Sequence, residues 1–144
     1  MRLSQDLKKA VDRPVFLFNA SEADWVRKSV WAEKNVEHCF PTYVTDGPFL
    51  HRLQDGTLIM LWSSLGSQGY AMGTSRAEKG HITDIWRHDP EPIWAQDGGH
   101  GMIFKTFTDQ LILTFHRPNN SPLERAVFIE IKETDKGIQP GAEV

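Results

Sequence analysis

The sequence predicts an all-β fold made of short antiparallel meanders, arranged as a partial β-propeller of about two and a half blades. Short apolar strands alternate with turns rich in glycine, aspartate and proline, which is typical of all-β architectures. One plan, a turn followed by an apolar hairpin, occurs twice at an offset of 53 to 54 residues. A recurrence of that length suits a four-stranded blade with its connections.

The predicted strands follow one another with few interruptions. They cover residues 15–18, 49–53, 57–64, 70–75, 84–87, 102–107, 110–116 and 125–132. Asp55-Gly56 separates the second strand from the third and is typical of a hairpin turn. Leu3 and Leu7 lie at helical spacing, so the first residues predict a short helix that Pro14 ends. Residues 134–144 carry Asp, Lys, Gly and Pro and are predicted to form a frayed tail.

The repeat places Asp46-Gly47 over His100-Gly101, with an apolar hairpin after each pair. We therefore divide residues 1–133, one partial propeller domain, into the end of a blade and its connection (1–42), a complete blade (43–95) and most of a further blade (96–133), followed by the tail (134–144). The alternative is a stand-alone β-sandwich whose hairpins are merely alike. A partial propeller exposes the flanks of its terminal blades, which predicts a homo-oligomer or missing blades supplied by another chain.

Composition and charge exclude several classes of partner. The net charge of −3 and the pI near 6.0 argue against nucleic acid, which binds a basic face. The chain has no basic run and no long apolar run, so we expect no membrane partner. Cys39 is the single cysteine, which excludes a disulfide framework and a thiolate zinc cluster. The first residues lack the apolar core of a signal peptide, so the cytoplasm is the default location.

Three segments carry a family resemblance. They are Thr-Asp-Gly-Pro-Phe-Leu-His-Arg from residue 45, Gly-Tyr-Ala-Met-Gly-Thr-Ser-Arg from residue 69 and Asp-Gly-Gly-His-Gly-Met-Ile-Phe from residue 97. Over about residues 1–132 the sequence resembles glycoside hydrolase family 43, whose arabinanases, β-xylosidases and α-arabinofuranosidases are five-bladed β-propellers. The resemblance implies inverting hydrolysis of arabinose- or xylose-containing oligosaccharides or polysaccharides.

The resemblance assigns Asp46 to the position of the catalytic acid, which protonates the leaving oxygen. The commoner family form has Glu there, so Asp46 is one methylene shorter. The base and a further tuning Asp belong to earlier blades of the family, for which this sequence has no matching segment. We therefore expect a truncated or incomplete glycosidase with little activity alone. The alternatives are an Asx turn at Asp46, and a non-catalytic β module that binds carbohydrate or serves in assembly.

Five further residues are candidates for binding. The family has a His beside a central cation, often calcium, so the resemblance implies a metal near His100; the alternative is a hydrogen bond within the turn. His116 and Arg125 end and begin neighbouring strands, where they either bind the sugar or are solvated strand ends. Trp25 or Trp31 is the candidate for a flat platform under a sugar ring.

Overall fold

The computed structural model describes residues 1–30, 34 and 41–144, so Trp31 and Cys39 lie outside the described part. Within it the chain forms two four-stranded antiparallel meanders, joined in sequence order. Sheet 1 contains β1 (Asp46–Arg52), β2 (Leu58–Gly66), β3 (Gly69–Ala77) and β4 (Trp86–His88), and sheet 2 contains β5 (Gly99–Lys105), β6 (Leu111–Arg117), β7 (Arg125–Thr134) and β8 (Gly137–Glu143). The prediction of an all-β partial propeller is confirmed, with about two blades.

The N-terminal region differs from the prediction. The first residues form no helix, because Leu3 pairs with Ala10 in an isolated antiparallel bridge. Asp6 stabilises the turn between them by accepting hydrogen bonds from the Ser4 hydroxyl and the Lys8 amide. Residues 15–18 form no strand either. A single 3-10 turn at Ala20–Glu22 follows, and no described helix is long and apolar enough to cross a membrane.

The two sheets repeat each other in strand register. Leu50 lies opposite Met60 in sheet 1, and Ile103 lies opposite Leu113 in sheet 2, an offset of 53 residues that holds along both hairpins. Asp46 therefore corresponds to Gly99, so its alignment with His100 is wrong by one residue. Each hairpin has a bulge just after this position, and because the two bulges are equivalent the offset is 53 residues on both sides of them. The misalignment arose because Asp46-Gly47 and His100-Gly101 are alike in sequence but differ by one position in the strand register.

The C-terminal residues are ordered as a strand, so the prediction of a frayed tail is wrong. Gly137 has a φ of +109°, which favours glycine and closes the turn between β7 and β8. β8 then pairs with β7 from Gly137 to Glu143 and completes the second four-stranded sheet. Pro140 is tolerated because β8 is an edge strand.

Two apolar clusters cover the two faces of sheet 1. On one face, the rings of Phe18 and Trp25 lie 5.2 and 4.9 Å from the ring of the fully buried Trp62. On the other face, Leu61 and Met72 pack against sheet 2 and are also fully buried. Sheet 2 therefore lies directly against sheet 1, and the first strands β1 and β5 contact each other. This contact places the beginning of both strands at one site.

Candidate functional site

Asp46 begins β1, and its carboxylate is hydrogen-bonded on both oxygens. The Gly47 amide donates to Asp46 Oδ1 at 2.8 Å, a turn contact of the kind predicted as the alternative role of Asp46. The Tyr70 hydroxyl, from β3, donates to Asp46 Oδ2 at 2.6 Å. The Asp46 side chain nevertheless stays 45% exposed. It is thus both fixed in position and accessible to a ligand.

The hydrogen bond from Tyr70 sets the charge of Asp46. It is the largest of the effects that hold the pKa of the Asp46 carboxyl below its usual value, with the neighbouring His100 also lowering it and burial opposing both. Burial and the same hydrogen bond raise the pKa of the Tyr70 phenol. Tyr70 therefore remains a neutral donor, and Asp46 within this chain is a carboxylate at neutral pH.

His100 approaches Asp46 from the other sheet. Its Nδ1 lies 3.4 Å from Asp46 Oδ2, and its backbone amide donates to Ser63 Oγ at 2.8 Å. A side chain at Gly47 would collide with the imidazole, because an added Cβ would lie 2.8 Å from His100 Cγ. His100 also has a φ of +58°, which is uncommon for a residue other than glycine. Both the backbone and Gly47 therefore hold the imidazole beside the carboxylate.

His116 and Arg125 lie next to this pair. The His116 ring is stacked on Tyr70, with centroids 5.6 Å apart and an interplanar angle of 19°, and is 6.5 Å from the His100 ring. Asn119 Oδ1 lies 3.0 Å from His116 Nε2. Arg125 directs Nη1 to the carbonyl oxygens of Pro122 and Glu124, within its own loop.

A shallow cavity of about 280 Å³ connects these side chains. Its lining includes His100, His116 and Arg125. Asp46, His100 and His116 thus form one cluster, while Arg125 borders the cavity and is exposed, as the alternative of a solvated strand end predicts. The arrangement offers two imidazoles in the lining of an open depression and a carboxylate next to one of them, which suits hydrogen bonding to a hydroxyl-rich ligand.

Solved structures show what the fold of this chain resembles. An endo-arabinase from Bacteroides thetaiotaomicron VPI-5482 matches 93% of this chain with a TM-score of 0.82 and 39% identity. A thermostable family-43 glycoside hydrolase matches 97% with a TM-score of 0.70 and 17% identity. The chain has a family-43 glycoside hydrolase-like fold. An α-L-arabinofuranosidase from Lactobacillus brevis shares this fold over 67% of the chain, with a TM-score of 0.52 and 20% identity.

The family-43-like chain is shorter than these structures. It spans 45% of the endo-arabinase, 45% of the thermostable hydrolase and 36% of the arabinofuranosidase. No protein-family model and no curated protein matches the sequence. The correspondence is therefore to less than half of each of these structures.

The described part of the family-43-like fold does not fit calcium at His100. No three His, Cys, Asp or Glu side chains group around a common point in the part of the chain that the structure describes. His100 has one carboxylate beside it, whereas calcium takes about 6–8 oxygen ligands. We assign no step of a reaction to a metal here.

Tyr70 is a site residue that the sequence reasoning missed. The strand register contains the signal: Ser63 lies opposite both Asp46 and Met72, so these residues share one face, and alternation along β3 adds Tyr70 to it. The prediction that Trp25 is a sugar platform is wrong, because Trp25 is buried against Trp62. Trp31, the other candidate, lies outside the described residues.

Proposed function

We propose that this chain contributes the acid side of an inverting glycosidase cleft for arabinose- or xylose-containing glycans. One observation carries the proposal: a half-exposed carboxylate, Asp46, is fixed by hydrogen bonds in a chain that is 39% identical to an endo-arabinase. In glycosidases of this kind one carboxylic acid protonates the leaving oxygen of the glycosidic bond, and we assign that role to Asp46. The neighbouring His100 and His116 would bind sugar hydroxyls.

The reaction needs a second carboxylate. In inverting hydrolysis a base about 6.5–9.5 Å from the acid activates a water on the opposite side of the sugar. The resemblance implies that this base and the tuning Asp come from segments with no counterpart in this sequence. We therefore propose that Asp46 is one half of a site whose other half is contributed by further polypeptide, and that the chain alone hydrolyses glycans slowly.

The charge state of Asp46 in this chain shows what the completed cleft would have to change. A general acid must be protonated before it reacts, but Tyr70 and His100 favour the ionised form of Asp46. A second carboxylate near Asp46 would oppose them, because like charges raise the pKa of a neighbouring acid. A second carboxylate in the completed cleft would raise the pKa of Asp46 and favour the protonated form that a general acid needs.

The same ionised state favours a second candidate function, carbohydrate binding without hydrolysis. A carboxylate accepts short, charge-assisted hydrogen bonds from hydroxyl groups, and the shallow cavity beside His116 and Arg125 leaves room for a sugar ring. A module of this kind would need no base.

Hydrolysis and binding assays on matched variants test both functions. Asp46→Asn is compared with Asp109→Asn, which changes an exposed Asp of positive φ in the β5–β6 hairpin. If the wild type cleaves aryl arabinofuranosides or xylosides, Asp46→Asn should slow cleavage by about 10²–10⁴-fold and the control should not. Cleavage unaffected by Asp46→Asn would refute the acid role. Binding of arabino-oligosaccharides that depends on Asp46, without cleavage, would support the second function.

A further inference from the structure

A second hydroxyl group lies behind the contact between Tyr70 and Asp46. Ser63 of β2 is fully buried and is paired with Asp46 in the strand register, so both side chains lie on the same face of sheet 1. Ser63 Oγ accepts a 2.8 Å hydrogen bond from the His100 amide of sheet 2. Burial and Asp46 raise the pKa of the Tyr70 phenol, and a hydrogen bond from Ser63 lowers it. Ser63 therefore contacts both sheet 2 and the residue that holds Asp46.

The hydrogen bonds of this series can run in one direction only. The His100 amide can only donate, and the ionised carboxylate of Asp46 can only accept. Ser63 accepts from the amide and has its own hydrogen available for the Tyr70 oxygen. The Tyr70 hydroxyl in turn donates to Asp46 Oδ2 at 2.6 Å. Hydrogen bonds in such a series polarise one another, so the donation from Ser63 makes the Tyr70 hydroxyl a stronger donor.

The backbone of sheet 2 can approach both hydroxyl side chains because residue 99 is a glycine. A Cβ at Gly99 would lie 2.6 Å from Tyr70 Cε1 and 2.7 Å from Ser63 Oγ, so a side chain there would displace both residues. Gly99 is also the counterpart of Asp46 in the repeat of the two sheets. The position that carries the carboxylate in sheet 1 therefore has no side chain in sheet 2, and the hydroxyl side chains of sheet 1 occupy the space.

We propose that Ser63 is a positioning residue, which transmits the contact with sheet 2 through Tyr70 to the carboxylate of Asp46. Because Ser63 is fully buried, it does not reach a ligand in the cavity. Its hydroxyl orients the Tyr70 hydroxyl and strengthens the hydrogen bond that Asp46 receives. The inference rests on the proposed function, since Asp46 needs to be positioned for a reaction only if it is the acid.

Other titratable groups face the same hydrogen bonds. The His100 imidazole lies 3.4 Å from Asp46 Oδ2. The His116 ring is stacked on Tyr70, and Asp97 Oδ1 accepts a 3.4 Å hydrogen bond from the Tyr70 amide. These groups remain when the Ser63 hydroxyl is removed. His100 nevertheless provides a competing route, because Ser63 holds its backbone and could act on Asp46 through the imidazole instead of the phenol.

A double-mutant cycle separates the two routes, with the pKa of Asp46 measured by NMR titration of its carboxyl carbon. Ser63→Ala should raise this pKa, because Tyr70 becomes a weaker donor, and should raise it less than Tyr70→Phe does. In the Tyr70→Phe background, Ser63→Ala should leave the pKa of Asp46 unchanged. The His100 amide loses its acceptor in Ser63→Ala and should exchange with solvent about 2- to 10-fold faster.

The matched control is Ser75→Ala. Ser75 is equally buried and accepts a hydrogen bond from Trp62 Nε1, but it lies on the opposite face of sheet 1. Its removal should lower stability to a similar extent and leave the pKa of Asp46 unchanged. Gly99→Ala displaces the Ser63 hydroxyl without removing it and should raise the pKa of Asp46, which keeps the test available if Ser63→Ala does not fold.

The proposal is overturned if the pKa of Asp46 is the same in Ser63→Ala and the wild type, or if it rises equally with and without Tyr70. Hydrolysis tests the proposed function separately. If the chain cleaves aryl arabinofuranosides, the rate falls as the pH rises through the pKa of the acid, so Ser63→Ala should move this decline to higher pH and Ser75→Ala should not. A pKa of Asp46 that responds to Ser63 as expected, together with cleavage that does not depend on Asp46, would support the series of hydrogen bonds and refute the acid role.

Discussion

Glu133 connects the two sheets, and its replacement by Gln should reduce the stability of the fold. Its Oε1 lies 2.9 Å from His51 Nε2, and its Oε2 accepts a 2.7 Å hydrogen bond from the Gln54 amide. Both partners belong to the β1–β2 hairpin of sheet 1, while Glu133 lies in β7. The Glu133 side chain is only 12% exposed, so water replaces these bonds poorly.

The magnitude follows from the two hydrogen bonds. The amide of Gln has one oxygen, so Glu133→Gln keeps one acceptor and turns an NH₂ group either towards the Gln54 amide, which can only donate, or towards His51 Nε2, which can accept only as the other tautomer. An unsatisfied, partly buried donor costs about 1–3 kcal/mol. Some solvent access lowers this figure, and we expect the free energy of unfolding to fall by about 1–2 kcal/mol. For a chain of this length that loss lowers Tm by roughly 3–6 °C.

Urea and thermal unfolding, followed by tryptophan fluorescence, measure the change. The control is Glu143→Gln in the adjacent β8, where an exposed carboxylate lies 3.6 Å from Arg117 and should contribute less than about 0.5 kcal/mol. A double-mutant cycle with His51→Gln separates the His51 contact from the Gln54 contact. Equal stability losses in Glu133→Gln and Glu143→Gln would refute the assignment of Glu133 as a connection between the sheets.

Three further variants probe charge and backbone. Tyr70→Phe removes the main cause of the lowered pKa of Asp46. The wild type loses stability as the pH falls below about 4, the pKa of this carboxyl in the unfolded chain, because the folded state favours the ionised form. The variant should lose less stability over the same range, which urea midpoints measured against pH will show. Burial lowers the pKa of His88, so the fold is fully stable above about pH 6.5 and loses stability as the pH falls from there through the folded pKa of His88. His88→Gln should make the free energy of unfolding less dependent on pH in this range. An unchanged pH dependence would contradict the assignment. Gly47→Ala introduces a Cβ at a φ of +53° against the His100 ring and should cost at least about 1 kcal/mol, with shifted imidazole resonances in NMR spectra.

The hairpins were predictable because their signals are local. Asp55-Gly56 marks a turn wherever it stands between apolar runs, and Gly56 has the expected positive φ of +90°. The N-terminal helix was wrong because Leu3 and Leu7 have helical spacing but no apolar partner, and so short a helix is marginal without one. β8 escaped prediction because an edge strand needs only one neighbour and tolerates Pro140, so its composition is like that of a tail.

The sequence predicted the residues that face a ligand but not Tyr70, which holds Asp46 in position by a hydrogen bond. Asp46, His100 and His116 stand out as polar residues beside glycine or at strand ends, and the structure brings them together. Tyr70 also follows a glycine at a strand start, but its hydroxyl meets Asp46 only because the register of β2 places both side chains on one face of sheet 1. The bulge after Asp46 shifts that register by a residue relative to the spacing in the sequence.

The contacts of Asp46 differ in which sheet they depend on. Tyr70 belongs to the same sheet as Asp46, so their 2.6 Å hydrogen bond persists as long as sheet 1 is folded. His100 belongs to sheet 2, so its 3.4 Å separation from the same oxygen depends on how closely the blades meet. A small rotation between the blades would withdraw the imidazole and leave the phenol in place. The part of the electrostatic environment of Asp46 that comes from His100 therefore depends on the angle between the two blades.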